Sequence, residues 1–210
     1  MSTLKTIGIG GILGIGAGVL VGRFFPVKSE ALDEKSLKNL EVLFFPDRGY
    51  PCLDHFSSLS ICTLREECSR LHDESSSLGK VIRLLTSANR SIDIAIFIFT
   101  SEILRDVIEK LVTLKKMRVR IIVDKDNSDL NESVIPFLRN IGVPVRVNSQ
   151  SSYLMHHKFA VIDNHTVLSG SFNWTSQASV GNRENLLVVK KNKDVASLYT
   201  KEFDDLWNIC

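Results

Sequence analysis

The sequence predicts an α/β protein: a mixed sheet flanked by helices, with parallel pairs among its strands. Three observations carry this. Short β-branched apolar runs recur at 92–99, 119–123, 143–147, 159–162, 166–169 and 186–189. Between several of them lie amphipathic stretches of helical period. Strands alternating with helices of this length fold as α/β layers rather than as a bundle or a sandwich.

Each element has a local reason. Val42 to Phe45 reads as a short apolar strand. Leu78 to Ala88 is a predicted helix, because Leu78, Val81, Leu84 and Leu85 share a face. Ile92 to Phe99 is a near-continuous apolar run rich in β-branched residues and is expected to be a buried strand. Ser101 caps a helix running to about Leu114, with Ile103, Leu104, Val107, Ile108 and Leu111 on its apolar face. Val119 to Val123 is the next strand. Leu130 to Asn140 is a helix stopped by Gly142, and Val143 to Val147 a strand. Phe159 to Ile162 and Thr166 to Ser169 form a hairpin turning at Asn164, Leu186 to Val189 is the last strand, and Val195 to Trp207 the closing helix.

The N-terminal region differs in kind. Thr6 to Val21 carries no charge, is apolar or glycine almost throughout, and is flanked by Lys5 and Arg23 with Phe24 and Phe25 beyond. A helix of this length is about 24 Å long, short of a hydrocarbon core of about 30 Å, but snorkelling cations and interfacial aromatics make up the difference. No small-residue cleavage site closes the run, so an uncleaved anchor is expected rather than a signal peptide. Gly10, Gly14, Gly18 and Gly22 repeat along one face, which permits close helix pairing. The expected organisation is an anchor at 1–25, a polar linker at 26–41 and a catalytic domain at 42–210.

Within that domain, 46–74 is a cysteine-rich insert. Cys52, Cys62, Cys68 and His72 supply three thiolates and one imidazole, a set that satisfies tetrahedral zinc. His55 is a competing ligand, and three buried thiols with a surface histidine is the plainer alternative. With four protein ligands the site would be closed and structural. Cys210 lies far off in sequence. Four cysteines are too few for a disulfide scaffold.

The chemistry concentrates in HHKFAVIDNHTVLSGSFN, residues 156–173. His156 and Lys158 are two apart on an extended segment, so they point the same way, toward one phosphate. His157 points away. Asp163 belongs to the pattern, yet seven positions from His156 it falls on the opposite face of a regular strand. A structural hydrogen-bonding role suits it better than substrate contact. Ser171 and Asn173, again two apart, can offer donors to phosphoryl oxygens. Glu184 precedes the last strand. Two formal glycosylation sequons, at Asn164 and Asn173, fall inside this stretch, where glycans would block the site; a lumenal domain is discounted.

The spacing H-x-K-x4-D-x6-G-S-x-N, followed by Glu184, resembles the HKD signature of the phospholipase D superfamily. The anchor, the Cys/His insert and the single motif, with phrases such as Phe44-Phe45-Pro46, Met155-His156-His157-Lys158-Phe159-Ala160, Asn173-Trp174-Thr175 and Asn182-Arg183-Glu184-Asn185, are similar to its mitochondrial, Zucchini-type branch over nearly the whole chain. The resemblance implies a phospholipase D-like sheet and an atypical Cys3His zinc insert. It also implies a covalent phosphohistidine on His156, Lys158 at the phosphoryl oxygens, Glu184 orienting the histidine, and no catalytic metal. Active sites of this superfamily need two motifs, so a single copy implies a homodimer. The branch is placed on the mitochondrial outer membrane with its catalytic domain facing the cytosol.

The resemblance leaves three functions: cleavage of single-stranded RNA in piRNA biogenesis, hydrolysis of cardiolipin to phosphatidic acid with effects on mitochondrial fusion, or a non-enzymatic membrane adaptor. The intact His, Lys, Ser, Asn and Glu set counts against the third. Net charge is +2, so overall basicity marks no nucleic-acid binder, but KKMRVR at 115–120 and KKNK at 190–193 are local basic runs. They would suit a nucleic-acid backbone or anionic lipid heads equally. On this reading RNA leads modestly.

Overall fold

The computed structural model describes residues 38–48, 76–128, 132–149 and 152–210. The expected anchor, the glycine face and all the candidate zinc ligands (Cys52, His55, Cys62, Cys68 and His72) lie outside the described residues, as does the linker up to residue 37. Among the described residues no helix is long and apolar enough to cross a membrane.

Among the described residues, seven strands form one mixed sheet. They are β1 (Leu40–Phe44), β2 (Ser91–Ile96), β3 (Arg118–Asp124), β4 (Val145–Asn148), β5 (Lys158–Ile162), β6 (Thr166–Gly170) and β7 (Asn185–Val189). Their spatial order is β1-β7-β6-β5-β2-β3-β4. β2, β3 and β4 are mutually parallel, and every other pair is antiparallel. Helices α1 (Ser77–Thr86), α2 (Glu102–Thr113), α3 (Lys125–Ser128), α4 (Ile135–Asn140), α5 (Ser176–Val180) and α6 (Lys193–Ile209) complete the described chain.

The sheet buries both faces, which is why β2 is apolar apart from Ser91 and Asp93. Ile92, Ile94 and Ile96 join a core with Leu78, Ile82 and Leu85 of α1 and Leu104, Ile108 and Leu111 of α2. Ala95 faces the other way, with Ile122, Phe159, Val161 and Val167, under Ala196 and Phe203 of α6. Helix starts follow the sequence. Ser101 caps α2 by accepting from the Leu104 N–H, and Asn192 caps α6 by accepting from Val195. At α1 the cap is shared across the fold: the Asp47 carboxylate accepts from the Ser77 and Leu78 N–H groups and from the Ser76 hydroxyl. A carboxylate there also complements the positive helix end.

Three expectations need correction. The 130–140 helix is shorter, because Pro136 fixes the first turn and the helix begins at Ile135. The ladder of β2 ends at Ile96; Phe97 to Phe99 leave the sheet, and the Trp174 carbonyl accepts from Thr100 and Ser101. β1 begins at Leu40, inside the expected linker, because Leu40 and Glu41 pair with Val189 and Val188. The 163–164 turn stands as expected, with both Asp163 and Asn164 at positive φ, the geometry of a two-residue hairpin turn.

Candidate active site

The site forms at the edge of the sheet where β2 ends and β5 begins, with Ile96 paired to Lys158. The chain arrives along Met155, whose N–H donates to the buried Asp124 carboxylate at 2.7 Å. That bond, from the end of β3, fixes the backbone one residue before His156. Asp124 was not legible as a site residue, because its partner is a backbone group 31 positions away.

His156 is exposed, and its ring lies 4.5 Å from the Phe97 ring. The Lys158 ammonium stands 3.3 and 3.4 Å from the two ring nitrogens and donates to the His156 carbonyl at 3.0 Å. It also sits 4.9 Å above the Phe97 ring, a cation–π contact. Phe97 is thus a shared floor for both. Partial burial pushes the Lys158 ammonium below the ordinary lysine range, and the Glu184 carboxylate partly opposes this. His157 turns away as expected, against Phe159 and Glu202 on the α6 side.

The other side of the site is the β6–β7 corner. Gly170 is required there: a Cβ would stand 2.2 Å from the Asn185 carbonyl oxygen. That close approach lets the Ser171 N–H donate to the same carbonyl. The Ser171 hydroxyl donates to Glu184 at 2.5 Å and accepts from the Asn185 N–H. Asn182 donates to the other Glu184 oxygen at 3.1 Å. The carboxylate therefore holds Ser171 and Asn182, and acts on Lys158 through its charge, where the resemblance implied that it orients His156. The Ser171 proton is committed to Glu184, so Ser171 shapes the corner rather than standing ready as a donor. The Asn173 side-chain oxygen is buried without a hydrogen-bond partner. It borders a cavity of about 710 Å³ that Asn182 also lines.

Asp163 does not join this constellation. It sits at the other end of β5, at most about 23 Å from His156 at the usual strand rise, where its carboxylate accepts from the Asn89, Arg90 and Ser91 N–H groups at 2.7 to 2.9 Å. Burial works to raise its pKa, but these three hydrogen bonds and nearby His165 outweigh it and hold the carboxyl below the usual range. The basic runs are at that far end too. Arg118 and Arg120 pair with buried Asp93, and Lys115 donates to the Thr86 carbonyl. Lys190 pairs with Glu41. Neither run lines the site.

A histidine and a lysine converging at the edge of a mixed sheet, with a Gly-Ser corner and a carboxylate behind, define a phosphodiesterase of the phospholipase D kind. A family model described as "Cardiolipin synthase, PLD-like domain" matches residues 81–207. A mitochondrial cardiolipin hydrolase of Chlamydomonas reinhardtii is 39% identical over 170 residues, covering 81% of this chain and 74% of that one. The human protein of that name is 36% identical over 172 residues, 80% of this chain and 66% of that one. The Drosophila melanogaster one is 30% identical over 203 residues, 85% and 79%. Among solved structures, Nuc of Salmonella typhimurium superimposes with TM-score 0.62 at 23% identity, covering 80% of this chain and 93% of that one, a likeness of fold. The chain belongs to the phospholipase D superfamily of hydrolases.

Proposed function

We propose that this chain hydrolyses cardiolipin to phosphatidic acid through a phosphohistidine on His156, as a homodimer at the mitochondrial outer membrane. The pairing of the His156 ring with the Lys158 ammonium at 3.3 Å carries the chemistry, and the name shared by the relatives supports the substrate and the organelle. An imidazole nitrogen attacks phosphorus and the bond to the leaving oxygen breaks. That oxygen takes a proton from the second copy's His156. The same histidine then accepts a proton from water as the water displaces His156 from phosphorus. Lys158 offsets the charge that grows on the phosphoryl oxygens. The second copy's histidine takes the acid's part because Lys158 is engaged with the phosphoryl oxygens, His157 faces Glu202, and Glu184 is held by Ser171 and Asn182. The chemistry as written uses no catalytic metal. A structural zinc on Cys52, Cys62, Cys68 and His72 fits the donor set, and the 6–21 segment serves as the anchor, leaving the catalytic domain in the cytosol.

The second reading is cleavage of single-stranded RNA in piRNA biogenesis. The cavity beside Asn173 favours it. Thr100, Thr175, Gln177 and Asn182 line it, and such hydroxyls and amides hydrogen-bond sugars and bases. The far placement of both basic runs removes the support that local charge would have lent.

The test is the full-length chain assayed side by side on cardiolipin vesicles and single-stranded RNA. Phosphatidic acid release is expected from the vesicles. RNA fragments with 5′-phosphate and 3′-hydroxyl ends and no lipid product would install the second reading. Mixing His156→Asn with wild type checks the shared site: activity falls faster than the wild-type fraction, whereas strict proportionality would sink it.

A further inference from the structure

Resting on the cardiolipin reading, we infer that Tyr153 and Leu154 are the point at which the catalytic domain enters a lipid bilayer, so that a phospholipid meets His156 without leaving the membrane. Tyr153 is 85% exposed and Leu154 55%, directly before the site. Leu154 lies two residues from His156, at most about 7.6 Å at 3.8 Å per Cα step. A diester phosphate held at His156 within a membrane therefore brings the headgroup layer against these two side chains. The backbone is anchored directly after them: the next residue, Met155, is buried and held by Asp124.

The chemistry of the segment suits that contact. Residues 152–155 read SYLM, with no charged side chain to desolvate. Tyrosine is apolar in body and polar at its tip, so it rests at the headgroup level, while leucine reaches the acyl boundary. A second exposed aromatic stands on the opposite flank. Phe44, 69% exposed, pairs with Asn185 beside Glu184, three strand spacings from β5, about 14 Å. An apolar rim on both sides of the nucleophile is what a lipid in a bilayer requires and what a soluble diester does not.

The experiment compares the full-length wild type with a Tyr153→Ser/Leu154→Ser double variant on three substrates: cardiolipin in phosphatidylcholine vesicles, bis(p-nitrophenyl) phosphate in solution, and single-stranded RNA. The vesicle kcat/KM is expected to fall at least about tenfold, as losing the burial of one leucine implies. Turnover of the soluble diester and of RNA stays level. Equal loss on the soluble diester would mean the pair shapes the site itself. Loss on RNA alone would mean base stacking, and a shift to monomer in sedimentation would mean a subunit contact. Each of these outcomes, or no change at all, overturns the inference. A Tyr153→Trp variant gives an independent readout: its fluorescence is quenched by brominated lipids beyond the background of Trp174 and Trp207, and failure to quench refutes bilayer entry. Should the wild type hydrolyse the soluble diester yet release no phosphatidic acid from vesicles, the cardiolipin reading has failed, and quenching alone decides bilayer contact.

Discussion

The two ends of the central sheet are built on opposite rules. At the far end, carboxylates are paired with cations or backbone N–H groups. Asp163 takes three backbone N–H groups, Asp93 takes Arg118 and Arg120, and Glu41 takes Lys80 and Lys190. At the site end, an ammonium faces an imidazole with no carboxylate of the described residues in hydrogen-bond contact with either, and the Asn173 oxygen is buried without a partner. The first end stores stability; the second leaves polar capacity open for a substrate. The comparison teaches that both halves of one short motif, the His-Lys pair and the Asp seven residues on, serve different ends of the molecule.

The largest effect that tests this division is His156→Asn. Turnover is expected to fall by at least about 10³-fold, as losing a nucleophile does, while thermal unfolding stays near that of wild type because the ring is exposed. A large drop in Tm would break the division.

Asp163→Ala should do the reverse. Three N–H groups lose their acceptor, at a cost of about 2–4 kcal/mol, or roughly 4–16 °C in Tm for a domain of this size. The folded fraction should keep its kcat. The pH dependence has a definite sign. The folded pKa of Asp163 is depressed, so its stabilisation is fully present above the unfolded value of about 3.9 and is lost as pH falls through the folded value. Denaturant titrations should show the gap between wild type and variant closing only in acid.

A smaller effect concerns Lys158. Its pKa is lowered by burial and partly restored by Glu184. The alkaline limb of kcat/KM is therefore expected below the ordinary lysine value of about 10.4. In Glu184→Gln the limb moves lower still, and a limb that stays put would remove the electrostatic link between the two residues.

The smallest change is expected from Arg118→Gln. The pair is half exposed on the arginine side and Arg120 still holds Asp93, so stability should shift by less than about 1 kcal/mol. Salt dependence of substrate affinity should not change. A weaker salt slope would show that the basic run tracks substrate after all.

How much of this was readable before folding differs by kind of information. Apolar period and capping residues are local, so the strand starting near Ile92 (though not its end), the strand at 159–162 and the Ser101 and Asn164 boundaries were legible. So was the convergence of His156 and Lys158, because two residues apart on an extended segment share a face whatever the fold does. Contacts that join distant positions were not legible. Asp124 reaching Met155, Phe97 flooring the histidine, Glu184 held by Ser171 instead of reaching His156, and the basic runs lying at the wrong end all depend on strand order and register. Alternation tells which face a side chain takes; only the packed sheet decides which end it reaches and who meets it there. The sequence by itself determined the chemical groups and the class of fold, since both follow from residue type and short-range spacing. The tertiary structure alone decided the division of labour among them, because pairing across the sheet brings together residues that no periodicity connects.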